Sequence, residues 1–401
     1  MTSASDSTAS PRSWRDNPAS LLILLGAVAA LSFSSWRALL NNFAIEQAAF
    51  TGAEIGTLQS LREVPGFLAF TAIFLLRVVR EQRLALVSVA LLGIGTAITG
   101  WFPTVIGLYC TTVLMSVGFH YGETMQQSLA LQWLSKDRAP IVLGRVIAAA
   151  SGASLVAYAL IWVAFELLDT DFSLVYLVSG GITVVLVVVA AVVFPTFPQH
   201  VAQHKRLVLR RRYWLYYSLT FLAGARRQIF TVFAGFMMVE KFGYSVADIT
   251  LLFLVNYAAN IWLAPAIGKV IARFGERTSL TFEYAGLVVV FLCYSVVEDG
   301  RIAAGLYVVD HLFFALAIAI KTYFQKISSP ADVAPTAAVS FTINHIAAVL
   351  LPVALGYLWL VHPSAVFYVG AGLAVVSLGL SQLVPRRPEP GSETVLSPAA
   401  S

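Results

Sequence analysis

The sequence predicts an all-α membrane protein of twelve transmembrane helices, arranged as two pseudo-symmetric bundles of six. Three observations carry that expectation. Of 401 residues, 58% are apolar and only 12% charged, with a mean hydropathy of +0.79, whereas a soluble domain carries about 25% charged residues. The apolar residues fall into twelve runs, each near the roughly 20 residues that cross a hydrocarbon core about 30 Å thick. The last six runs also repeat features of the first six.

The runs cover 20–41, 54–76, 84–101, 104–132, 145–167, 172–194, 213–239, 249–267, 279–297, 302–326, 334–357 and 363–384. Backbone polar groups in lipid must be satisfied within their own segment, and ten-residue alternating strands are absent, so each run is expected to be a helix. The polar, Ser-rich residues 1–19 precede a run with no small-residue cleavage site behind it, which reads as a retained helix rather than a signal peptide. The segment 195–212 (PTFPQHVAQHKRLVLRRR) is the longest basic connection, and it separates a bundle at 20–194 from one at 213–384. The Pro- and Ser-rich residues 385–401 are expected to be disordered.

A net charge of +5 would suit a nucleic-acid partner if the cations formed a patch. They are instead dispersed between the runs, so no nucleic acid is expected. Nineteen of the 26 Lys and Arg residues fall on one side of the predicted topology: Arg12 and Arg15; Arg77, Arg80 and Arg83; Lys136, Arg138 and Arg145; Lys205, Arg206, Arg210, Arg211 and Arg212; Lys269, Arg273 and Arg277; Lys326; Arg386 and Arg387. The other side has Lys241 and Arg301 with the acids Glu46, Glu166, Asp169, Asp171, Glu298 and Asp299. The excess of cations marks the cytoplasmic side, so both termini are expected there. Cys110 and Cys293 lie inside apolar runs and imply neither a disulfide framework nor a metal cluster.

The repeat supports two related halves. Thr51-Gly-Ala-Glu-Ile55 resembles Ser245-Val-Ala-Asp-Ile249 at an offset of 194, which pairs Arg62 with Asn256 and Arg83 with Arg277. Gly107-Leu-Tyr109 matches Gly305-Leu-Tyr307 at an offset of 198, which sets Glu123 against Lys321.

Two six-helix halves with a cytoplasmic linker resemble the major facilitator superfamily over nearly the whole chain. Between runs 8 and 9, Gly268-Lys-Val-Ile-Ala-Arg273-Phe-Gly275-Glu-Arg277 is similar to that family's loop motif G-x-x-x-D-R-x-G-R-R, with Ala272 at the acidic position. The corresponding loop between runs 2 and 3, Leu76 to Arg83, has no glycine. Glycines there allow a tight turn, and the arginines pair with helix ends or acids. The resemblance implies a transporter whose helices 1, 4, 7 and 10 line a central cavity, flanked by 2, 5, 8 and 11. It also places the chain in a bacterial inner membrane, as a monomer.

Arg37, Arg62, Arg226, Arg227 and Lys321 fall inside predicted spans, on those lining and flanking helices. A cation facing lipid at the bilayer centre costs about 2.5–3.5 kcal/mol, so these must face protein or water. Arg62 and one of the helix 7 arginines are expected anion ligands, with Arg37 nearer the outer mouth. Because neighbours on a helix diverge by about 100°, Arg226 and Arg227 do not share a target, and one is expected to pair with a neighbouring helix. Pairing of Arg62 with Glu63 is the alternative to substrate binding.

Ser116, His120, Glu123 and Gln127 make a polar stripe along helix 4. Asp310 and Lys321, eleven residues apart, are expected on one face of helix 10. The repeat suggests Glu123 and Lys321 as an inner gate. Glu123 and Asp310, then His120, His311 and His345, are candidates for carrying coupling protons, since burial changes the cost of charging such groups. A membrane histidine more often simply bonds one helix to another. Asn256, Asn344 and His345 join Asn41, Gln59, Gln126 and Asn260 as neutral ligands or interhelical hydrogen bonders. Trp36, Trp101, Trp133, Trp214 and Trp359 mostly read as interfacial anchors, and no aromatic cage is indicated.

No phosphate loop, paired metal-ligand motif or nucleophile elbow occurs in the polar segments, which excludes an ATP-driven pump or a membrane enzyme and implies no cofactor or metal. The expected function is secondary transport of a small anionic organic solute by alternating access, driven by protons. The alternatives are a drug or metabolite efflux antiporter and a non-transporting receptor or scaffold of the same fold.

Overall fold

The structure is a computed structural model that describes residues 13–134, 139–198, 209–329 and 332–397. The expected basic residues Arg12, Lys136, Arg138, Lys205 and Arg206 lie outside the described residues. Among those described, helices carry the whole architecture and no strand is present.

The first bundle consists of α1 (Pro18–Ala48), α2 (Gly52–Phe67), α3 (Glu81–Thr99), α4 (Val105–Trp133), α5 (Ala139–Glu166) and α6 (Phe172–Val193). In the second, α7 is Trp214–Gln228 continued by a π-helical turn, Ile229–Ala234, and by Gly235–Glu240. The helix Val246–Val296 is interrupted at Gly275, giving α8 (246–274) and α9 (276–296). Next come α10 (Gly300–Ala315, then Ile318–Ile327), α11 (Val333–Val361) and α12 (Pro363–Ser381). Nine of these helical segments are long and apolar enough to cross a membrane. The stretches that fall short include α2, only 16 residues long, and α7, which carries Arg226 and Arg227.

The repeated sequence motif is a repeated cap. Thr51 caps α2 in a box with Glu54, and Ser245 caps α8 in the same box with Asp248. Each carboxylate accepts from the cap's backbone N–H, so orphan donors at the helix start are satisfied in both halves. Gly275 has φ +80°, a left-handed conformation that glycine adopts without strain, and it makes the α8–α9 turn in a single residue. That turn is fastened by Lys326 to the buried Glu276 at 2.6 Å and by Arg277 to Gln382 at 3.2 Å. Gly268 and Arg273 are exposed.

Two helices depart from the expected continuity. α2 stops at Phe67, shortly after Pro65, and the chain proceeds through a 3-10 turn, Ala69–Thr71, and a single turn, Ala72–Leu75. Proline lacks the N–H and crowds the preceding turn, which ends regular helix. α10 is overwound at Leu316 and Ala317, where four bonds run to carbonyls three residues back, from Leu316, Ala317, Ala319 and Ile320. Tighter winding shifts the helical face, so Asp310 and Lys321 do not share one: Asp310 is fully buried and Lys321 is exposed.

The apolar cores show how the bundles join. One cluster is shared by both, packing Trp36, Phe43, Ile55 and Tyr158 with Phe233, Phe253, Phe291 and Trp359 at the end away from the basic connections. At the basic end each bundle has its own core, around Leu22, Leu86 and Leu129 in the first and Leu219, Ile271 and Phe324 in the second. The lobes are therefore sealed at one end and separate at the other. The seal runs along α2 against α11 and along α5 against α8. Trp36 and Trp359 are buried in it, so the expectation of interfacial anchoring fails for these two; Trp359 donates to Glu240 at 2.8 Å. Trp101 and Trp214 are exposed, as anchors would be.

At the basic end, Asp332 accepts from Arg210 at 2.7 Å, Arg212 at 2.8 Å and Tyr213 at 2.9 Å. Withdrawal from water acts to raise the Asp332 carboxyl, but the hydrogen bonds from Arg210, Tyr213, Ser329 and Arg212 outweigh it and hold the group well below the usual carboxylate range. The stability it contributes is thus present above the ordinary aspartate value and lost as pH falls below it. Asp332→Asn should release the end of the linker, read as faster trypsin cleavage after Arg210 to Arg212; unchanged cleavage would mean the latch holds nothing. The tail expected to be disordered instead packs beside this latch as far as residue 397. Tyr323 donates to the Glu393 carbonyl, and Val395 N–H to the Leu383 carbonyl at 2.9 Å.

Candidate functional site: a cavity between the lobes

Between the lobes, within the shared core, lies a cavity with about 470 Å³ of free space counting the part open to solvent. Its polar wall is Arg37, Asn41, Gln59, Arg62 and Thr231, and Trp36, Phe253 and Tyr307 supply aromatic faces. α1, α2, α7, α8 and α10 all contribute. Thr231 comes from the π-helical turn of α7, where one extra residue per turn redirects side chains, a device common at binding sites.

Arg37 and Arg62 are both on the wall but differ in their partners. Arg37 lies over the Phe253 ring at 5.0 Å, among the phenols of Tyr158, Tyr257 and Tyr307, with no carboxylate in ion-pair range among the described residues. Arg62 is paired with Glu63 through Oε1, as the alternative reading held. Its Nε has no hydrogen-bond partner.

Beneath Arg62 sits a cluster that the sequence separates widely. Glu63 of α2 turns its other oxygen, Oε2, toward His345 of α11 at 3.5 Å, and His345 stacks edge-on with His120 of α4 at 5.3 Å between ring centroids. All three are buried. Ser116, first in the α4 stripe, donates to the Arg62 carbonyl, so the stripe's upper part faces α2.

The helix 7 arginines diverge as helical geometry requires. Arg227 is exposed, within electrostatic reach of Arg62, Glu63 and Glu123 of the first lobe. Arg226 does not reach the cavity, contrary to its selection as a ligand. It is fully buried inside the second lobe, 3.7 Å from Glu283, bonded to Ser377 and stacked on Tyr284 at 4.4 Å. Asp310 is buried nearby with neither oxygen hydrogen-bonded, one turn from Tyr307 of the cavity wall.

The other expected ligands are also displaced. Asn344 packs against Gly224 in the seam of α7 and α11, its Oδ1 within 2.2 Å of where a Cβ on that glycine would stand. Asn256 is buried with Oδ1 unbonded and does not line the cavity. His311 is bonded to Asn260 of α8 at 2.7 Å, the helix-to-helix role. Glu123 accepts from Gln127 at 3.4 Å and forms no ion pair with the exposed Lys321. The aromatic wall was missed because Trp36, Phe253 and Tyr307 resemble any other lipid-facing or core aromatic in sequence.

A profile of the Major Facilitator Superfamily matches residues 22–294 and 216–399. The chain belongs to that superfamily. This member is accordingly a multi-pass membrane transporter and not an enzyme. Among solved structures, a point mutant of the nucleoside transporter NupG has a TM-score of 0.75 at 14% identity, covering 91% of this chain and 99% of its own. A bacterial homologue of the human lysosomal transporter Spinster, inward-facing and occupied, scores 0.68 at 13% identity over 91% and 96%. A POT family transporter in complex with 5-aminolevulinic acid scores 0.68 at 13% identity over 91% and 95%. At such identities the likeness is one of fold. No curated protein sequence matches the chain.

Proposed function

We propose that this superfamily member is a secondary active transporter that moves a small anionic organic solute by alternating access, coupled to protons. The observation that carries the reading is Arg37, a cavity guanidinium without an acidic partner among the described residues, set beside a second arginine, Arg62, whose Nε has no hydrogen-bond partner. A carboxylate is what such donors bind well. The amides Asn41 and Gln59 and the aromatic faces suit the remainder of a small, flat, polar molecule. With the basic end taken as cytoplasmic by the positive-inside rule, the separated cores correspond to an inward-facing state.

Asp310 is the proposed proton carrier. A charged carboxylate without a hydrogen-bond partner in an apolar interior is costly, so a group that gains and loses water as the lobes rock also loses and regains its proton. Its place one turn from Tyr307 couples that exchange to the cavity. The repeat-related pair Glu123 and Lys321 then closes the cytoplasmic side in the opposite state.

Uptake into proteoliposomes under an imposed pH gradient tests this, with a panel of labelled carboxylates that includes 5-aminolevulinic acid, the compound named for the POT neighbour. Losing a hydrogen bond to a charged group costs about 1.5–3 kcal/mol, so Arg37→Gln should weaken apparent affinity about 10- to 100-fold. Asp310→Asn should abolish gradient-driven accumulation while leaving counterflow. Flux of neutral nucleosides alone, or anion uptake indifferent to Arg37, would exclude the anion reading. No flux of any compound would favour the receptor.

A further inference from the structure

We infer that Glu63, His120 and His345 form a binding site for a divalent transition-metal cation of the zinc class, held between the two lobes. One ligand atom from each of the three buried residues falls within 4.8 Å of the other two. Ligands at about 2.0–2.2 Å around a tetrahedral ion stand roughly 3.3–3.6 Å apart. The contact from His345 Nε2 to Glu63 Oε2, 3.5 Å, already meets that spacing. The other ligand atoms, within 4.8 Å, must draw closer when an ion binds. Two imidazoles and a carboxylate with a position left for water are a donor set that suits zinc, cobalt or nickel better than magnesium or calcium.

Three further features point to a ligand. His120 Nδ1 is buried without a hydrogen-bond partner, on a ring that meets that of His345 edge-on. The Glu63 carboxylate is divided: Arg62 takes Oε1, which orients Oε2 toward the histidines, the role outer partners play at metal sites. Gly66, three residues beyond Glu63, makes room for both rings. A Cβ there would lie 2.4 Å from His345 Nε2 and 2.7 Å from His120 Cε1. Since α2 and α4 belong to one lobe and α11 to the other, an ion at this point ties the lobes together.

Tag-free full-length protein in detergent, titrated with Co²⁺ and followed by its visible d–d absorption, is the test. The expected result is saturable binding of one ion per chain, displaced by Zn²⁺. His120→Asn and His345→Asn should each weaken it at least 10-fold, and Gly66→Ala, which keeps every ligand, should weaken it as well. Melting curves without metal show which variants fold. If one histidine variant does not, the other decides the question together with Gly66→Ala. Absence of saturable binding in the wild type overturns the site. So does binding that survives both histidine substitutions, as ligation by His200 and His204 of the linker would. The readout is binding alone, so it stands or falls separately from the transport assays.

Discussion

Arg226→Met will destabilise the second lobe by about 3–5 kcal/mol, the usual cost of breaking a buried ion pair by removing one partner. The reason lies in what surrounds the guanidinium. Glu283 at 3.7 Å and the nearby Asp310 are both fully buried, and neither has a hydrogen bond to replace it. Without Arg226, two acids share an apolar interior with no cation. Arg226→Lys should recover little, because an ammonium reproduces neither the stacking on Tyr284 nor the bond to Ser377 in the same geometry. Combining Arg226→Met with Glu283→Leu should cost less than the sum of the two single changes, since apolar residues can replace a buried pair at small net cost. Unfolding in mixed micelles supplies the cycle, with a coupling of about 1 kcal/mol or more expected for groups in contact. Strict additivity would show that the two charges do not interact. A loss confined to substrate affinity, with stability intact, would return Arg226 to the role of ligand that the sequence suggested.

That misplacement marks the limit of what the chain discloses. Helix number, the two-lobed division and the repeat are legible because the bilayer imposes a length and a polarity on each span and because the lobes share their caps, Thr51 with Glu54 and Ser245 with Asp248. Which buried cation faces the cavity is not legible. Arg226 and Arg227 have the same sequence neighbourhood, and their fates differ by a helical rotation of about 100° whose origin no motif fixes. Arg62 and Glu63 are adjacent, so their pairing was readable as an alternative. The meeting of Glu63 with His120 and His345 was not, because residues from three helices converge only through tertiary packing. The break in α10 defeated the face argument for Asp310 and Lys321 for a related reason. Periodicity assumes uniform winding, and four tight bonds around Leu316 change the phase.

The seam between α2 and α11 yields the second large effect, on conformation rather than folding. A Cβ on Gly56 would stand 2.2 Å from the Pro352 carbonyl oxygen and 3.0 Å from the Gly356 Cα; these are backbone atoms that cannot turn aside. Gly356 is equally confined by the Gly52 carbonyl, at 2.4 Å. Overpacking of this kind costs about 1–3 kcal/mol. Within one lobe such a cost falls on the fold: Gly180, whose Cβ would meet Ala97 N at 2.3 Å where α6 crosses α3, should lower the melting temperature when changed to alanine. Gly56 belongs to a contact between lobes, so under alternating access Gly56→Ala penalises only the state in which the seam is shut. Its population should fall about 5- to 150-fold relative to the opposite state. With Cys110 and Cys293 replaced and Gln59→Cys introduced at the cavity wall, a membrane-impermeant thiol reagent applied from the sealed end should react much faster in Gly56→Ala and no faster in Gly180→Ala. Equal labelling in the two backgrounds would mean that the seam does not open, and rocking of the lobes about it would have to be abandoned.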